Sequence, residues 1–219
     1  MHRIVFTGAQ GTGKTTVLKE FEKKGMNVIT EVVRRLAKTG VKINKDGDED
    51  GQTKIFEVYE YELGYPSNPI DGYISDRCLV DVIAYSMYLA EQGKVSDEFV
   101  KDQMNKLIKF KNENPDIAYC YFPIEFDVVA DGVRDTDEEF RAAIDHNIIA
   151  VMHEAGIQPI VIKGTVEERA NKVNRIINWI REGISLLTGL EFDENGKPII
   201  QGPDFIPADT EVDTNKVKS

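Results

Sequence analysis

Gly8-Ala9-Gln10-Gly11-Thr12-Gly13-Lys14-Thr15 is the stretch on which the fold turns. It satisfies Gly-x4-Gly-Lys-[Ser/Thr] at every position. The apolar run His2-Arg3-Ile4-Val5-Phe6-Thr7 leads straight into it, and a helical pattern at 14–24 follows. The residue types have physical reasons. Gly8, Gly11 and Gly13 permit the backbone turns that aim successive N–H groups at phosphate oxygens. The helix that follows presents its positive dipole end to the same anion. Lys14 has the length to reach the outer phosphates of a nucleotide, and the Thr15 hydroxyl is a ligand for Mg²⁺. Ala9, Gln10, Thr12 and Thr16 complete the expected nucleotide-binding set. A glycine-rich turn that binds nothing is the alternative, and the register of strand, motif and helix counts against it.

Around this loop the chain alternates short apolar runs with longer amphipathic ones. Strands are expected at 2–7, 26–30, 72–75, 117–122 and 158–162, and helices at 14–24, 31–39, 52–63, 79–92, 96–113, 137–155 and 166–187. Thr136 and Thr165 each precede a glutamate by three residues (Glu139 and Glu168), the capping-box signature of a helix start. Alternating strands and helices predict an α/β fold, three layers deep, with a parallel five-stranded sheet covered on both faces. At 219 residues the chain suits one domain that buries about 70–75% of its unfolded surface, with no need of a disulfide or metal staple. We expect one domain over 1–190 and an acidic tail over 191–219.

The net charge of −11 is unevenly spread. Residues 191–219 hold seven acids against three lysines, and residues 44–51 hold four acids against Lys45. The remainder is only mildly acidic. Sequence-independent binding to nucleic acid rests on a basic surface, so it is an unlikely main task. The tail, with Pro198, Pro203 and Pro207 and little apolar periodicity, reads as surface-lying or disordered. Cys78 and Cys120 show no framework spacing. No run reaches the ~18 apolar residues of a membrane span, and residues 4–6 are too short for a signal peptide. A cytoplasmic protein is expected, in the host cytoplasm if a phage encodes it.

A second carboxylate is needed near the loop. Asp71-Gly72-Tyr73-Ile74-Ser75-Asp76-Arg77 supplies one, since a short apolar strand ends there in Asp76-Arg77. An acid at such a strand end can hold Mg²⁺ directly or through water, and an adjacent arginine can pair with a phosphate. A strand-end turn with a surface ion pair is the plainer reading.

Ser75-Asp76-Arg77-Cys78-Leu79-Val80-Asp81-Val82-Ile83-Ala84-Tyr85 resembles the Asp-Arg segment of thymidylate kinases and deoxynucleoside kinases. It is still more similar to the small kinase domains grouped with bacterial nicotinamide riboside kinases, many of them from phages. Glu31 and Arg34, Asp131-Gly132-Val133-Arg134, and Gly164-Thr165-Val166-Glu167-Glu168-Arg169 match further segments of that group. The likeness covers residues 1 to about 175 and implies a P-loop kinase that uses ATP and Mg²⁺. By the resemblance, Lys14, Glu31, Asp76, Arg77 and Arg134 form the catalytic set, with Thr15 and Asp76 on the metal. Glu31 orients or deprotonates the acceptor hydroxyl. Arg34 clamps substrate together with Arg77, although Arg35 is an equal candidate for facing the site. Arg134 and Arg141 belong to a mobile lid, and the Gly164-Thr165 turn passes near the adenine. A homodimer through helices is compatible with the resemblance.

The implied activity is phosphoryl transfer to a hydroxyl or monophosphate of a nucleoside- or nucleotide-like acceptor. Two alternatives stay open: a kinase acting on a hydroxymethylated base in DNA, and an ATPase switch or partner-binding ATPase with no phosphoryl acceptor. Other features carry less. Asp46-Gly47-Asp48-Glu49-Asp50-Gly51 followed by Glu57 fits a calcium-loop pattern, but Thr53 stands where an apolar residue belongs. An acidic loop capping the next helix is the preferred reading. His146 and His153 are two turns apart on one predicted helix, too far to chelate one metal ion.

Overall fold

The computed structural model describes residues 2–66, 72–125, 137–182, 191–192 and 198–199, the last two as backbone. The sheet strands are β1 (His2–Thr7), β2 (Val28–Ile29), β3 (Gly72–Asp76), β4 (Ile117–Tyr121) and β5 (Ile160–Val161). Between them lie α1 (Lys14–Glu22), α2 (Val32–Ala37), a 3-10 turn at Asn44–Asp46, α3 (Glu49–Gly64), α4 (Leu79–Glu91), α5 (Asp97–Glu113) and α6 (Glu138–Glu154). Helix α7 (Val166–Arg181) follows β5. The five strands are all parallel, in the order β2-β3-β1-β4-β5.

Strand β1 is central and every residue in it is buried, as expected for an apolar strand covered on both faces. Side chains alternate between the layers. Ile4 and Phe6 pack with Ile74, Cys120 and Ile162 against Val17, Leu18 and Phe21 of α1 and Val173, Ile176 and Ile177 of α7. Val5 points the other way and joins Tyr73, Tyr119 and Tyr121 against α3, α4, α5 and α6. The predicted three-layer α/β/α fold is therefore present.

Register decides where the chemistry sits. Phe6 pairs with Asp76 of β3, and Thr7 pairs with Tyr121 of β4. Asp76 and Tyr121 thus emerge level with the start of the loop, on either side of it. This is the crevice at the carboxyl ends of parallel strands where α/β sheets bind ligands.

Several boundaries differ from the sequence reading, each for a local reason. Helix α6 starts after Asp137, whose carboxylate accepts the Phe140 N–H at 3.1 Å, rather than after Thr136. Thr165 and Glu168 do form the expected capping box at α7. Helix α2 is only six residues long, and Glu31 stands outside it in a left-handed conformation at φ 60°. Helix α3 starts earlier than expected, because Asp48 caps it by accepting the Gly51 N–H at 2.9 Å. Asp48 also pairs with Lys42. The acidic segment is thus a helix start: Glu49 and Asp50 occupy the first turn, where the dipole favours anions. In the tail, Glu191–Phe192 (β6) and Pro198–Ile199 (β7) form a two-stranded antiparallel pair where no regular structure was expected. Among the described residues no helix is long and apolar enough to cross a membrane.

Candidate functional site

The phosphate loop is held by close backbone approaches. Gly8, Gly11 and Gly13 all have positive φ, at 147°, 73° and 86°. A Cβ on Gly8 would lie 2.4 Å from the Phe122 carbonyl oxygen, so only glycine lets β1 leave the sheet here. Gly13 is the left-handed N-cap of α1, and Lys14 is the first helical residue.

Lys14 is buried. Its ammonium donates to the Gly8 and Ala9 carbonyls at 2.6 and 2.7 Å and to the Thr12 hydroxyl at 3.1 Å. Burial, with Arg77 acting in the same direction, pulls its pKa down to about 8 against the opposing pull of Asp81, Asp76 and Asp145. Lys14 is therefore a cation held among oxygens and close to losing its proton in mildly alkaline solution. The Thr12 hydroxyl in turn donates to the Ala9 carbonyl at 3.0 Å.

The two expected metal ligands meet. Thr15 Oγ1 donates to Asp76 Oδ2 at 2.7 Å, across the gap between α1 and the end of β3. Mg²⁺ takes one or two protein oxygens and completes its octahedron with water and phosphate. A hydroxyl and a carboxylate beside a phosphate loop fit that demand. Asp76 is fixed from behind by Tyr59, which donates to its carbonyl oxygen at 3.2 Å.

Arg77 is held on every side. Its backbone is left-handed (φ 85°), its N–H donates to the Phe6 carbonyl at 3.0 Å, and its carbonyl accepts the Ser75 hydroxyl at 2.8 Å. The guanidinium pairs with Asp81 at 3.1 Å and lies 5.5 Å from the Tyr85 ring centre. Asp81 is 2% exposed and also accepts the Cys78 N–H at 3.0 Å, so one carboxylate both starts α4 and aims Arg77. Neither Asp81 nor Tyr85 has a role in the sequence reading. The available signal was spacing: Asp81 and Tyr85 are four apart on one face of α4, which begins two residues after Arg77.

On the opposite wall, Glu31 pairs with Arg34 at 3.4 Å, and both side chains are about half exposed. The ambiguity between Arg34 and Arg35 is resolved geometrically. Arg34 lines the cleft, whereas Arg35 pairs with Glu62 of α3 at 2.6 Å.

These residues border a cleft of about 430 Å³ that runs from Gln10–Thr16 past Glu31 and Arg77. Its lining also includes Ile43, Ile55, Tyr59, Val82 and Tyr85, with two carboxamides, Asn44 and Gln52. Gln52 is 2% exposed, and its amide forms no hydrogen bond among the described residues. Sequence reasoning missed these residues, because a glutamine on a helix carries no motif.

The remaining expected residues lie elsewhere. Arg141 is not in a lid: it sits on α6, 3% exposed, and its Nε donates to the Gln10 carbonyl at 3.0 Å. Arg134 lies outside the described residues. Thr16 is exposed at the cleft edge. The Gly164 N–H donates to Glu125 at 3.1 Å, and Glu125 also pairs with Arg169, whose Nη1 donates to the Thr12 carbonyl at 2.5 Å. The Gly164-Thr165 turn is thereby tied to the back of the phosphate loop. Behind the loop, the Tyr121 hydroxyl donates to Asp145 at 2.8 Å. Burial pushes the Asp145 carboxyl up, opposed by Tyr121, Ala9 and the Lys14 and Arg141 charges.

The family model AAA_28, described as an AAA domain, matches residues 3–169, from the first strand to the arginine behind the loop. The chain belongs to this family. Comparison with curated protein sequences gives no significant match. Among solved structures, the AAA_28 chain is similar to the NadR protein in complex with NR at a TM-score of 0.58 and 16% identity, covering 83% of this chain and 51% of NadR. It therefore spans about half of NadR. Deoxyadenosine kinase from M. mycoides is similar at a TM-score of 0.57 and 18% identity, with 81% and 99% of the two chains covered. Thymidylate kinase from Candida albicans is similar at 0.56 and 14%, covering 82% and 92%. The AAA_28 domain described here has the P-loop nucleoside and nucleotide kinase fold.

Proposed function

We propose that this AAA_28 domain transfers the terminal phosphoryl group of ATP to a hydroxyl group of a nucleoside-like acceptor. One observation carries the reading. A single cleft is lined both by the phosphate loop with the Thr15–Asp76 pair and by aromatic and aliphatic side chains with two carboxamides. Bound Mg-ATP supplies the phosphoryl group and part of the neutralising charge.

The chain's own residues divide the rest of the work. The Gly8–Gly13 backbone and Lys14 hold the outer phosphates, and Thr15 and Asp76 hold Mg²⁺. Arg77, fixed by Asp81 and Tyr85, places a cation between the two substrates, where charge builds up during transfer. Glu31 accepts the hydrogen bond, and then the proton, of the acceptor hydroxyl. A carboxylate at that position favours a hydroxyl over a phosphate acceptor, which it repels. Arg34 clamps the acceptor, and Gly164 and Thr165 border the adenine.

The apolar part of the cleft lining supports the choice of acceptor. Its aromatic and aliphatic walls suit a planar ring, and Gln52 offers one donor edge and one acceptor edge to it. The test is acceptor-dependent ADP release by the purified protein with Mg-ATP and a panel of nucleosides and nucleoside monophosphates. Release with nucleosides is expected. Hydrolysis that no acceptor changes, in folded protein, would replace this reading with an ATPase.

A further inference from the structure

Two buried arginines approach the phosphate loop from behind. Arg141 of α6 donates from Nε to the Gln10 carbonyl at 3.0 Å, and Arg169 of α7 donates from Nη1 to the Thr12 carbonyl at 2.5 Å. Their residues are 3% and 1% exposed. Neither lines the cleft, whereas Gln10–Thr16 do. The two arginines therefore grip alternate carbonyls of the loop from the side away from the ligand.

A trans peptide is planar, and its C=O and N–H point in opposite directions. Holding the Gln10 carbonyl backward turns the Gly11 N–H forward. Holding the Thr12 carbonyl backward does the same for the Gly13 N–H. Among the described residues, neither N–H donates a hydrogen bond to the protein. Gly11 and Gly13 also carry the positive φ values, 73° and 86°, that such alternating peptides require. Arg169 lies directly beneath this turn: a Cβ on Gly13 would sit 2.9 Å from its Nη1.

We propose that Arg141 and Arg169 are positioning residues that preset the anion-binding amides of the phosphate loop, Arg141 through Gln10 for Gly11 and Arg169 through Thr12 for Gly13. This rests on the loop binding a polyphosphate, as in the proposed function. Stability alone is a poor account of the arrangement. Arg141 forms no ion pair within 4 Å among the described residues, and its Nη2 is buried with no hydrogen-bond partner. Burying an unpaired guanidinium costs free energy. Arg169 is better compensated, since Glu125 pairs with it and also holds the Gly164 N–H. Through that shared carboxylate, the Gly164 turn and the phosphate loop are set by one group.

The experiment uses the full chain, labelled with ¹⁵N and titrated with inorganic tripolyphosphate. The wild type is compared with R141M, R141K, R169M and R169K. Wild-type binding with movement of both the Gly11 and Gly13 amide signals is expected. In R169M, affinity should fall about tenfold or more, and the Gly13 response should be lost while that of Gly11 persists. R141M should give the mirror image. The lysine variants, which keep one donor, should recover part of the affinity; they also carry the comparison if a methionine variant does not fold. Variants that bind tripolyphosphate as tightly as the wild type, with both responses intact, overturn the proposal. So does equal loss of both responses alongside a lowered Tm, which marks a merely structural role. A wild type that binds no tripolyphosphate removes the polyphosphate reading itself.

Discussion

The Thr15 hydroxyl donates a 2.7 Å hydrogen bond to the Asp76 carboxylate, joining the first turn of α1 to the end of β3. The two residues are 61 positions apart, and the pairing of Phe6 with Asp76 brings them level. An oxygen pair at this spacing beside a phosphate loop has the chemistry of a Mg²⁺ site. D76N should therefore lower kcat by about 100-fold and shift the Mg²⁺ concentration for half-maximal rate upward. Stability should change by less than about 1 kcal/mol, since the hydroxyl can still donate to the amide oxygen. Turnover in D76N with an unchanged Mg²⁺ profile would remove Asp76 from the metal.

Lys14 gives a pH dependence whose sign is fixed. Its pKa in the ligand-free protein is lowered to about 8, chiefly by burial. A polyphosphate between the loop amides favours the charged form and raises that pKa. Below pH 8 the lysine is charged in both states, and affinity is flat. Above pH 8 binding requires proton uptake, so affinity should weaken by up to about tenfold per pH unit, until the pKa of the complex is passed. Calorimetry at pH 8.5 in buffers of different ionisation enthalpy should show net proton uptake. K14R, whose side chain does not titrate in this range, should abolish the uptake.

Arg34 and Arg35 are adjacent in sequence and have different surroundings. Arg34 faces the cleft beside Glu31, and Arg35 is committed to Glu62 on α3. R34M should raise the acceptor KM by about tenfold with little change in Tm. R35M removes a partly exposed ion pair, so it should leave KM alone and cost about 1 kcal/mol. Equal effects of the two substitutions on the acceptor KM would show that Arg34 has no privileged place.

The contrast between these residues explains what the sequence could and could not disclose. The loop from Gly8 to Thr15 is contiguous, so its motif carries both its fold and its position. Asp76 and Arg77 were legible because a strand end is a local signal. Asp81 and Tyr85 touch Arg77 only because α4 begins at once after that strand, and their polar and aromatic characters equally suit a core helix. Arg169 is further from view. It ends the Gly164–Arg169 segment that carries part of the family resemblance, but nothing in that segment discloses its partner Thr12, 157 residues away. The boundary errors are local. Asp137 rather than Thr136 starts α6, because its carboxylate accepts the Phe140 N–H, and Glu31 leaves α2 for a left-handed turn.

Gln52 carries the last prediction. The residue is 2% exposed, lines the cleft in company with Tyr59, Tyr85 and Asn44, and its amide makes no hydrogen bond among the described residues. A polar group kept there at a desolvation cost implies a ligand that satisfies it. Q52L replaces the amide by an aliphatic chain of similar size, so the folded protein should lose no more than about 1 kcal/mol, and it gains if the amide has no partner in the free state. Acceptor kcat/KM should fall by about 10–1000-fold, because a ring edge brought against leucine leaves its own donor and acceptor unpaired. The KM for ATP should stay within about twofold, since Gln52 makes no hydrogen bond to the phosphate loop among the described residues. Comparing nucleosides whose rings present different donor and acceptor edges then identifies the edge: the substrate that Gln52 reads loses most, and one lacking that edge loses little. Uniform small losses across the panel would assign Gln52 to the wall of the pocket rather than to recognition.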